Sequence, residues 1–300
     1  VVPAAGGDRI GPRPVDFHLD GYQRMGAKVE NRKDVYYLEA DRLQGTEINL
    51  PYPSVTATEN LLMAGTLAMG RTVIRNAAIE PEVVDLALFL QKMGAIIDYQ
   101  ADRTFIVEGG SQLSGADHMI MPDRLVVASL GAAAIASRGD VFVKGARQAD
   151  MLTFLNALRR AGGCFEIQQD GIRFFYEGTL TSVAIETTVH PGFMTDWQPP
   201  FKVLLTQAEG MSVVHETVIQ DRIVYVSQLQ KMGADINYSL AMYKLGLYYF
   251  KGNPKNYHLA YNLFKKGATL NFNPSEFYLA KCFYENKGIP PDLDKGAEAN

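Results

Sequence analysis

A short motif that recurs at near-constant intervals constrains the fold of this chain most. Met-Gly-Ala occurs three times and a degenerate Ala-Gly-Gly occurs once, and the central glycines are Gly26, Gly94, Gly162 and Gly233. The steps between them are 68, 68 and 71 residues. A second series in the same phase precedes β-branched runs, and its members are Gly70, Gly139 and Gly210. Two markers that share one period indicate repeated structural units.

The content of one unit is read from its hydrophobic pattern. TATENLLMAGTLAMG and EPEVVDLALFLQKMG have helical apolar spacing and end in glycine, which is a helix stop signal. TVIRN, AIIDYQ and TFIVEG have the composition and alternation of strands. The predicted unit is helix, strand, helix, strand, strand, repeated over residues 1 to 238, and the methionines of the motif are predicted to fill the core.

A different repeat begins after Tyr238. Leu245 aligns with Leu279 and Gly252 with Gly288, at steps of 34 and 36 residues. This period is typical of an α-solenoid built from helix pairs. Aromatic residues in this tail are predicted to form the solenoid core: Tyr243, Tyr248, Tyr249, Phe250, Tyr257, Tyr261 and Phe264.

Charge and composition exclude several classes of function. The net charge of −4 argues against a nucleic-acid partner. The two cysteines, Cys164 and Cys282, lack CxxC spacing, and the five histidines are scattered, so neither a metal site nor a disulfide framework is predicted. The longest apolar run is too short to span a bilayer. We expect a cytoplasmic protein without a membrane partner, metal or cofactor.

The stretch from Gly6 to Asp16 reads GGDRIGPRPVD, and its glycines and prolines predict a loop with special backbone geometry. This loop resembles the mobile loop of one branch of the enolpyruvyl transferases. PYPSVTATENLLMAG, MPDRLVVAS, HPGFMTDWQ and AEGMSVVHETVIQDR also resemble that family, and the tail resembles Sel1-like repeats.

The resemblance implies an α/β fold, the inside-out barrel of enolpyruvyl transferases, here incomplete and followed by a short α-solenoid. It implies that residues 1–120 are the remainder of a first domain, that 121–238 are further α/β units crossing into a second, and that 239–300 are Sel1-like repeats. The family's earlier lysine, asparagine and arginine and its last units are not found in this sequence.

The implied reaction transfers the enolpyruvyl group of phosphoenolpyruvate to the 3′-hydroxyl of UDP-N-acetylglucosamine and releases phosphate, in peptidoglycan synthesis. Such an addition and elimination needs a base, an acid and cations. Asp196 matches the family base. From the residues alone, an Asx turn or helix cap is the alternative interpretation of this aspartate.

Asp8 matches a proton carrier that is a cysteine in many family members. The unperturbed pKa of a thiol is about 8.5 and that of an aspartate about 3.9, so Asp8 needs burial or a negative neighbour to act as an acid near neutral pH. Because fosfomycin alkylates the cysteine, the resemblance also implies insensitivity to fosfomycin. A polar turn residue is the alternative for Asp8.

Further residues are carried over from the family as substrate contacts. Arg13 matches an arginine that reaches phosphoenolpyruvate, and its planar fork suits phosphate or carboxylate. The other matched positions are Pro14, Val15, Asp16 and Phe17 for the uridine, Ser54, Val55 and Thr56 for the diphosphate, Val218 for a backbone contact with the nucleotide sugar, and Arg222 for a cleft arginine. Thr56 replaces a usual glycine, Tyr52 replaces a cation of some relatives, and a surface salt bridge is the alternative for Arg222.

Three interpretations follow for the whole chain. The first is an enolpyruvyl transferase acting on the substrates named above. The second is a non-catalytic interaction protein that binds a protein partner through its Sel1-like tail. The third is a fusion without a selected function.

Overall fold

The computed structural model describes residues 1–3, 14–32, 35–110, 112–219, 222, 225–234, 238–252, 255–269 and 273–290. Asp8 and Arg13 lie outside the described residues, so their predicted roles stay predictions.

The first unit is a helix followed by an antiparallel pair of strands. Its elements are β1 (Val2–Pro3), α1 (Asp16–Arg24), β2 (Lys28–Arg32) and β3 (Val35–Glu39). β3 lies between β1 and β2 and pairs antiparallel with both. α1, β2 and β3 match the last three elements of the predicted unit.

The second unit is complete. Its elements are β4 (Glu47–Asn49), α2 (Val55–Leu67), β5 (Arg71–Arg75), α3 (Pro81–Lys92), β6 (Ile96–Gln100) and β7 (Thr104–Glu108). The sheet order is β4-β5-β7-β6, with β4 parallel to β5 and the other pairs antiparallel. The predicted unit lacked β4, because three residues are too few to show strand alternation.

The third and fourth units repeat this plan. The third contains α4 (Arg124–Ala136), β8 (Asp140–Lys144), α5 (Leu152–Arg160), β9 (Cys164–Gln168) and β10 (Gly171–Phe175). The fourth contains β11 (Ala184–Glu186), α6 (Gln198–Leu205), β12 (Val213–His215) and α7 (Val226–Lys231). A 3-10 helix precedes each of the helices α5 and α6. It spans Gln148–Met151 before α5 and Thr195–Trp197 before α6. β11 runs parallel to β12, as β4 does to β5.

The recurring glycines are explained by helix termination. All four have a positive φ, between 82° and 107°. In the first unit the N–H of Gly26 bonds to Gln23 O, and the N–H of Ala27 reaches back to Tyr22 O. This pattern, found at all four sites, is the Schellman motif, and glycine adopts its left-handed residue without a steric penalty. The prediction that the methionines fill the core holds for buried Met25 but is wrong for Met232, which is 83% exposed.

Two apolar clusters form the core of the α/β units. The buried residues of one lie between Met25 and Val107, and those of the other between Val127 and Leu205. The predicted domain limits at 120 and 238 are not tested by these clusters and stay predictions.

The tail is helical, with α8 (Tyr238–Lys251), α9 (Tyr257–Thr269) and α10 (Asn273–Tyr284). Its core is aromatic, as predicted, and includes Phe250, Tyr261 and Phe264. The prediction is wrong for Tyr248, which is 60% exposed. None of the helices in the described part of the chain is long and apolar enough to cross a membrane.

Candidate functional site

The start of α2 forms one part of the candidate site. Ser54 is its N-cap residue, and its hydroxyl accepts a hydrogen bond from Ala57 N at 3.4 Å. Val55 and Thr56 form the first turn, where Thr56 is exposed. Unpaired backbone N–H groups and the helix dipole make such a terminus favourable for an anion.

The start of α1 lies beside it. Pro14 and Asp16 are exposed, whereas Phe17 packs against the first core cluster. α1 and α2 approach closely, since a Cβ on Gly21 would stand 2.5 Å from Leu61 Cδ2. The structure therefore brings the predicted uridine and diphosphate contacts into one region.

His18 lies in this region and was missed by the sequence analysis. Burial lowers the pKa of His18, while Asp16 and hydrogen bonding to the backbone of Thr56 and Val15 oppose that shift. The predicted uridine contacts ended at Phe17. A single histidine next to them belongs to no sequence motif that would have indicated a role.

Asp196 and Arg222 form the second part of the site. Arg222 donates through Nη2 to Asp196 Oδ1 and through Nη1 to Thr195 Oγ1 at 3.0 Å. The Arg222 side chain is 11% exposed and that of Asp196 is 40% exposed. Arg222 therefore does form a salt bridge, but its own side chain is largely buried, and its predicted contact with substrate stays a prediction. Asp196 pairs with Arg222 and caps neither the 3-10 helix nor α6.

Val218 is held by its backbone. Its N–H donates to Glu216 Oε1 at 2.8 Å, and that of Ile219 does so at 3.0 Å. Glu216 was also missed, because its partners come from separate segments of the chain.

An ion pair near Asp196 links the start of α3 to the start of α4. Arg124 donates to both carboxylate oxygens of Glu82, and its guanidinium lies 5.3 Å from the Trp197 ring centroid. Trp197 donates through Nε1 to Arg124 O at 3.3 Å. The residue that follows Asp196 is thus anchored to the start of α4.

Acidic groups surround the start of α3. Burial raises the pKa of Glu59, and the charges of Glu82 and Glu80 raise it further. Burial likewise raises the pKa of Tyr52, with additional effects of Glu80 and Glu216. Tyr52 is therefore within electrostatic reach of both parts of the site, and it supplies no positive charge for a diphosphate.

A lysine, Lys202, lies near the second part of the site, within electrostatic reach of Glu216. Burial lowers its pKa to about 8, and the charge of Glu216 partly opposes this. Its Nζ lies 5.3 Å from the ring centroid of Tyr225, whose hydroxyl donates to Gln198 Oε1. Among the described residues, no group of three or more His, Cys, Asp or Glu side chains could hold a metal ion.

The repeated α/β units, the pair of Asp196 with Arg222 and the N-terminus of α2 are features that the family resemblance predicts. The family model for EPSP synthase (3-phosphoshikimate 1-carboxyvinyltransferase) matches residues 2–243, and the chain belongs to this family. Sel1 repeats match residues 239–272 and 273–298.

Two similar curated relatives of this chain belong to one branch of the family. UDP-N-acetylglucosamine 1-carboxyvinyltransferase of Protochlamydia amoebophila is 54% identical over 242 residues, which cover 79% of this chain and 52% of that protein. UDP-N-acetylglucosamine 1-carboxyvinyltransferase 1 of Staphylococcus aureus is 42% identical over 238 residues, which cover 79% of this chain and 56% of that protein. The chain spans about half the length of the curated relatives it matches.

Solved structures agree on the fold. The enolpyruvyl transferase NikO from Streptomyces tendae aligns with a TM-score of 0.67 at 21% identity, covering 73% of this chain and 55% of that chain. EPSP synthase from Acinetobacter baumannii aligns with a TM-score of 0.54 at 17% identity, covering 75% and 54%. Both alignments support the predicted α/β fold.

Proposed function

We propose that this chain transfers the enolpyruvyl group of phosphoenolpyruvate to the 3′-hydroxyl of UDP-N-acetylglucosamine and releases phosphate. The 3′-oxygen adds to C2 of phosphoenolpyruvate while C3 gains a proton. Loss of a proton from C3 then expels phosphate from C2. The branch of relatives at 42% to 54% identity supports this choice of substrates.

The contact between Asp196 and Arg222 carries the proposal. Arg222 holds Asp196 Oδ1, and the side chain of Asp196 remains 40% exposed. A carboxylate that is fixed on one side and accessible on the other suits a general base for a substrate hydroxyl. Asp196 would accept the proton of the 3′-hydroxyl.

The starts of α1 and α2 support a nucleotide-sugar site. The N-terminus of α2, capped by Ser54, would receive the diphosphate, with Val55 and Thr56 in contact. Pro14, Val15, Asp16 and Phe17 would lie along the uridine. Val218 would contact the sugar through its backbone.

Asp8 and Arg13 complete the proposal from the family resemblance. Asp8 would deliver the proton to C3, and Arg13 would bind phosphoenolpyruvate bidentately. A carboxylate at position 8 also makes the chain insensitive to fosfomycin. Labelling of Asp8 by fosfomycin, detected by mass spectrometry, would show that this part is wrong.

The direct test is phosphate release from phosphoenolpyruvate and UDP-N-acetylglucosamine by the purified chain, compared with Asp196→Asn. Asp150→Asn is the matched control, because Asp150 also lies in a 3-10 helix and pairs with an arginine, Arg147, at 2.6 Å. We expect release by the wild type and the control and none by Asp196→Asn. No release from a folded wild-type chain contradicts the proposal.

The tail favours a second function, binding of a protein partner. The side chains of Phe277 and Tyr284 on α10 are 65% and 92% exposed, and Sel1 repeats occupy this region. Exposed aromatic side chains are typical of protein-binding surfaces. This function would stand alone if a folded chain released no phosphate, and we expect either activity to operate in the cytoplasm.

A further inference from the structure

Glu216 follows β12 and uses both of its carboxylate oxygens. Oε1 accepts hydrogen bonds from the N–H groups of Val218 and Ile219, at 2.8 and 3.0 Å. It also accepts from the hydroxyl of Thr187, at 2.9 Å. Thr187 is fully buried and accepts in turn from Thr217 N. One oxygen of Glu216 therefore fixes the chain that leads toward Arg222.

The other oxygen points toward the Asp196 segment. Oε2 accepts from the Thr195 hydroxyl at 2.8 Å and from Gln198 Nε2 at 3.1 Å. Gln198 is fully buried, and its Nε2 also lies 3.2 Å from Arg222 O. Glu216 thus holds residues on both sides of Asp196, and one of them, Gln198, bonds to the backbone of Arg222.

The direction of each hydrogen bond follows from the donors present. Thr195 has one hydroxyl proton, and an ionised carboxylate can only accept. The proton therefore points to Glu216, and a lone pair of Thr195 Oγ1 is left for Arg222 Nη1 at 3.0 Å. Arg222 Nη2 contacts Asp196 in the same geometry. The sequence of contacts is Glu216, Thr195, Arg222, Asp196.

Glu216 is an ionised acceptor at neutral pH. Burial pushes its pKa up, but the N–H of Ile219, the Thr195 hydroxyl, the N–H of Val218 and the Thr187 hydroxyl outweigh burial. The pKa of Glu216 therefore lies below its ordinary value. A charged acceptor strengthens each of these hydrogen bonds.

We propose that Glu216 is a positioning residue that orients the Thr195 hydroxyl and thereby holds the Arg222 guanidinium against Asp196. Its effect on turnover rests on the function proposed above, whereas its effect on Arg222 does not. Without an ionised acceptor at Glu216 Oε2, the Thr195 proton loses the partner that keeps it turned away from Arg222.

The test uses the full chain and the exchange of the Arg222 guanidinium protons, followed by nitrogen-15 NMR and assigned with Arg222→Lys. Glu216→Gln keeps the shape of the side chain but places either an amide donor or a weaker neutral acceptor against Thr195. Thr195→Val replaces the hydroxyl by a methyl group of similar size. Loss of one hydrogen bond to a charged group predicts exchange about tenfold faster in both variants.

The matched control is Glu186→Gln. Glu186 lies on the neighbouring strand β11 and accepts from His215 and Tyr249, at 2.7 and 2.9 Å. This control makes the same change of charge in the same sheet, so its Arg222 exchange is expected to equal that of the wild type. Thermal melts establish that each variant is folded, and Thr195→Val serves if Glu216→Gln does not fold.

Unchanged Arg222 exchange in a folded Glu216→Gln or Thr195→Val variant overturns the proposal, and so does equally fast exchange in Glu186→Gln. Phosphate release separates the two proposals. In an active chain, Glu216→Gln should lower kcat about tenfold or more. Its amide oxygen can still accept from the N–H groups of Val218 and Ile219, so the KM for the nucleotide sugar should stay within about threefold. An inactive wild type counts against the proposed function, while Arg222 exchange still decides the role of Glu216.

Discussion

Arg124 binds Glu82 through two parallel hydrogen bonds, from Nε at 3.0 Å and from Nη2 at 2.9 Å. The Arg124 side chain is 4% exposed, and that of Glu82 is 38% exposed. The contact joins the start of α3 to the start of α4, and Trp197 rests on the same arginine. The segment that carries Asp196 is therefore tied to the first core cluster through one buried guanidinium.

Glu82→Gln is expected to destabilise the chain by about 1–3 kcal/mol, because it leaves a buried guanidinium without an ionised partner. Urea denaturation measures the change in the free energy of unfolding. The control is Glu108→Gln, which loses an exposed pair with Arg71 and should cost about 0.5 kcal/mol or less. Equal losses in the two variants would mean that burial of Arg124 has no energetic consequence.

Gly26→Ala is expected to cost about 1–2 kcal/mol through the backbone alone. Gly26 has a φ of 92°, and a Cβ built there meets nothing within 4 Å, so steric overlap with neighbours contributes nothing. Gly115→Ala is the control, since Gly115 has the same open surroundings without a positive φ. The two variants are compared by thermal and urea denaturation, and equal stabilities would contradict the Schellman interpretation.

The glycine at position 26 also shows why the period of the fold could be predicted. A left-handed residue at each helix end restricts the amino acid locally, so the pattern is visible in the sequence. β4 and β11 could not be predicted. Each has only three residues and pairs with a strand that follows an intervening helix, so neither strand has a local pattern.

The candidate site shows the same limit. Asp196 was identified by family resemblance, but its contact with Arg222 joins residues 26 positions apart. Glu216 and Arg124 have no local signal at all, since their roles arise from segments that only the fold brings together. The sequence likewise could not show that the Arg222 side chain is largely buried, because charge alone does not tell a surface pair from a buried one.

Lys202→Met is expected to stabilise the chain at pH 7 by about 1–3 kcal/mol, because it removes an ammonium group from a partly buried position. Burial lowers the pKa of Lys202 from 10.5 to about 8. Above pH 8 the folded chain has released this proton while the unfolded chain still holds it, so wild-type stability rises with pH up to about 10.5. The advantage of Lys202→Met should therefore shrink across that interval.

Urea denaturation at pH 7, 8, 9 and 10 measures this dependence. Lys231→Met is the control, because Lys231 is exposed on α7. Its effect should be small and nearly constant over the same range. An advantage of Lys202→Met that stays constant from pH 7 to 10 would show that Lys202 keeps its proton in the folded chain.

The solenoid tail contacts the α/β part through Tyr249. Its hydroxyl donates to Glu186 Oε2 at 2.9 Å, and its ring meets His215 edge-on with centroids 6.0 Å apart. Burial, followed by the hydrogen bond and charge of Glu186, raises the pKa of Tyr249 to about 12, so the hydroxyl donates throughout the neutral range. α8 is thereby fixed against the strands β11 and β12.

Tyr249→Phe should weaken this contact by about 0.5–1.5 kcal/mol, the usual contribution of one hydrogen bond. Because a tail with its own core can open separately, hydrogen exchange of the α8 amides is the sensitive measurement. Tyr248→Phe is the matched control, since the neighbouring tyrosine is 60% exposed. Faster α8 exchange in Tyr249→Phe alone supports a docked tail, whereas equal protection in both variants would mean that the solenoid is held by other contacts.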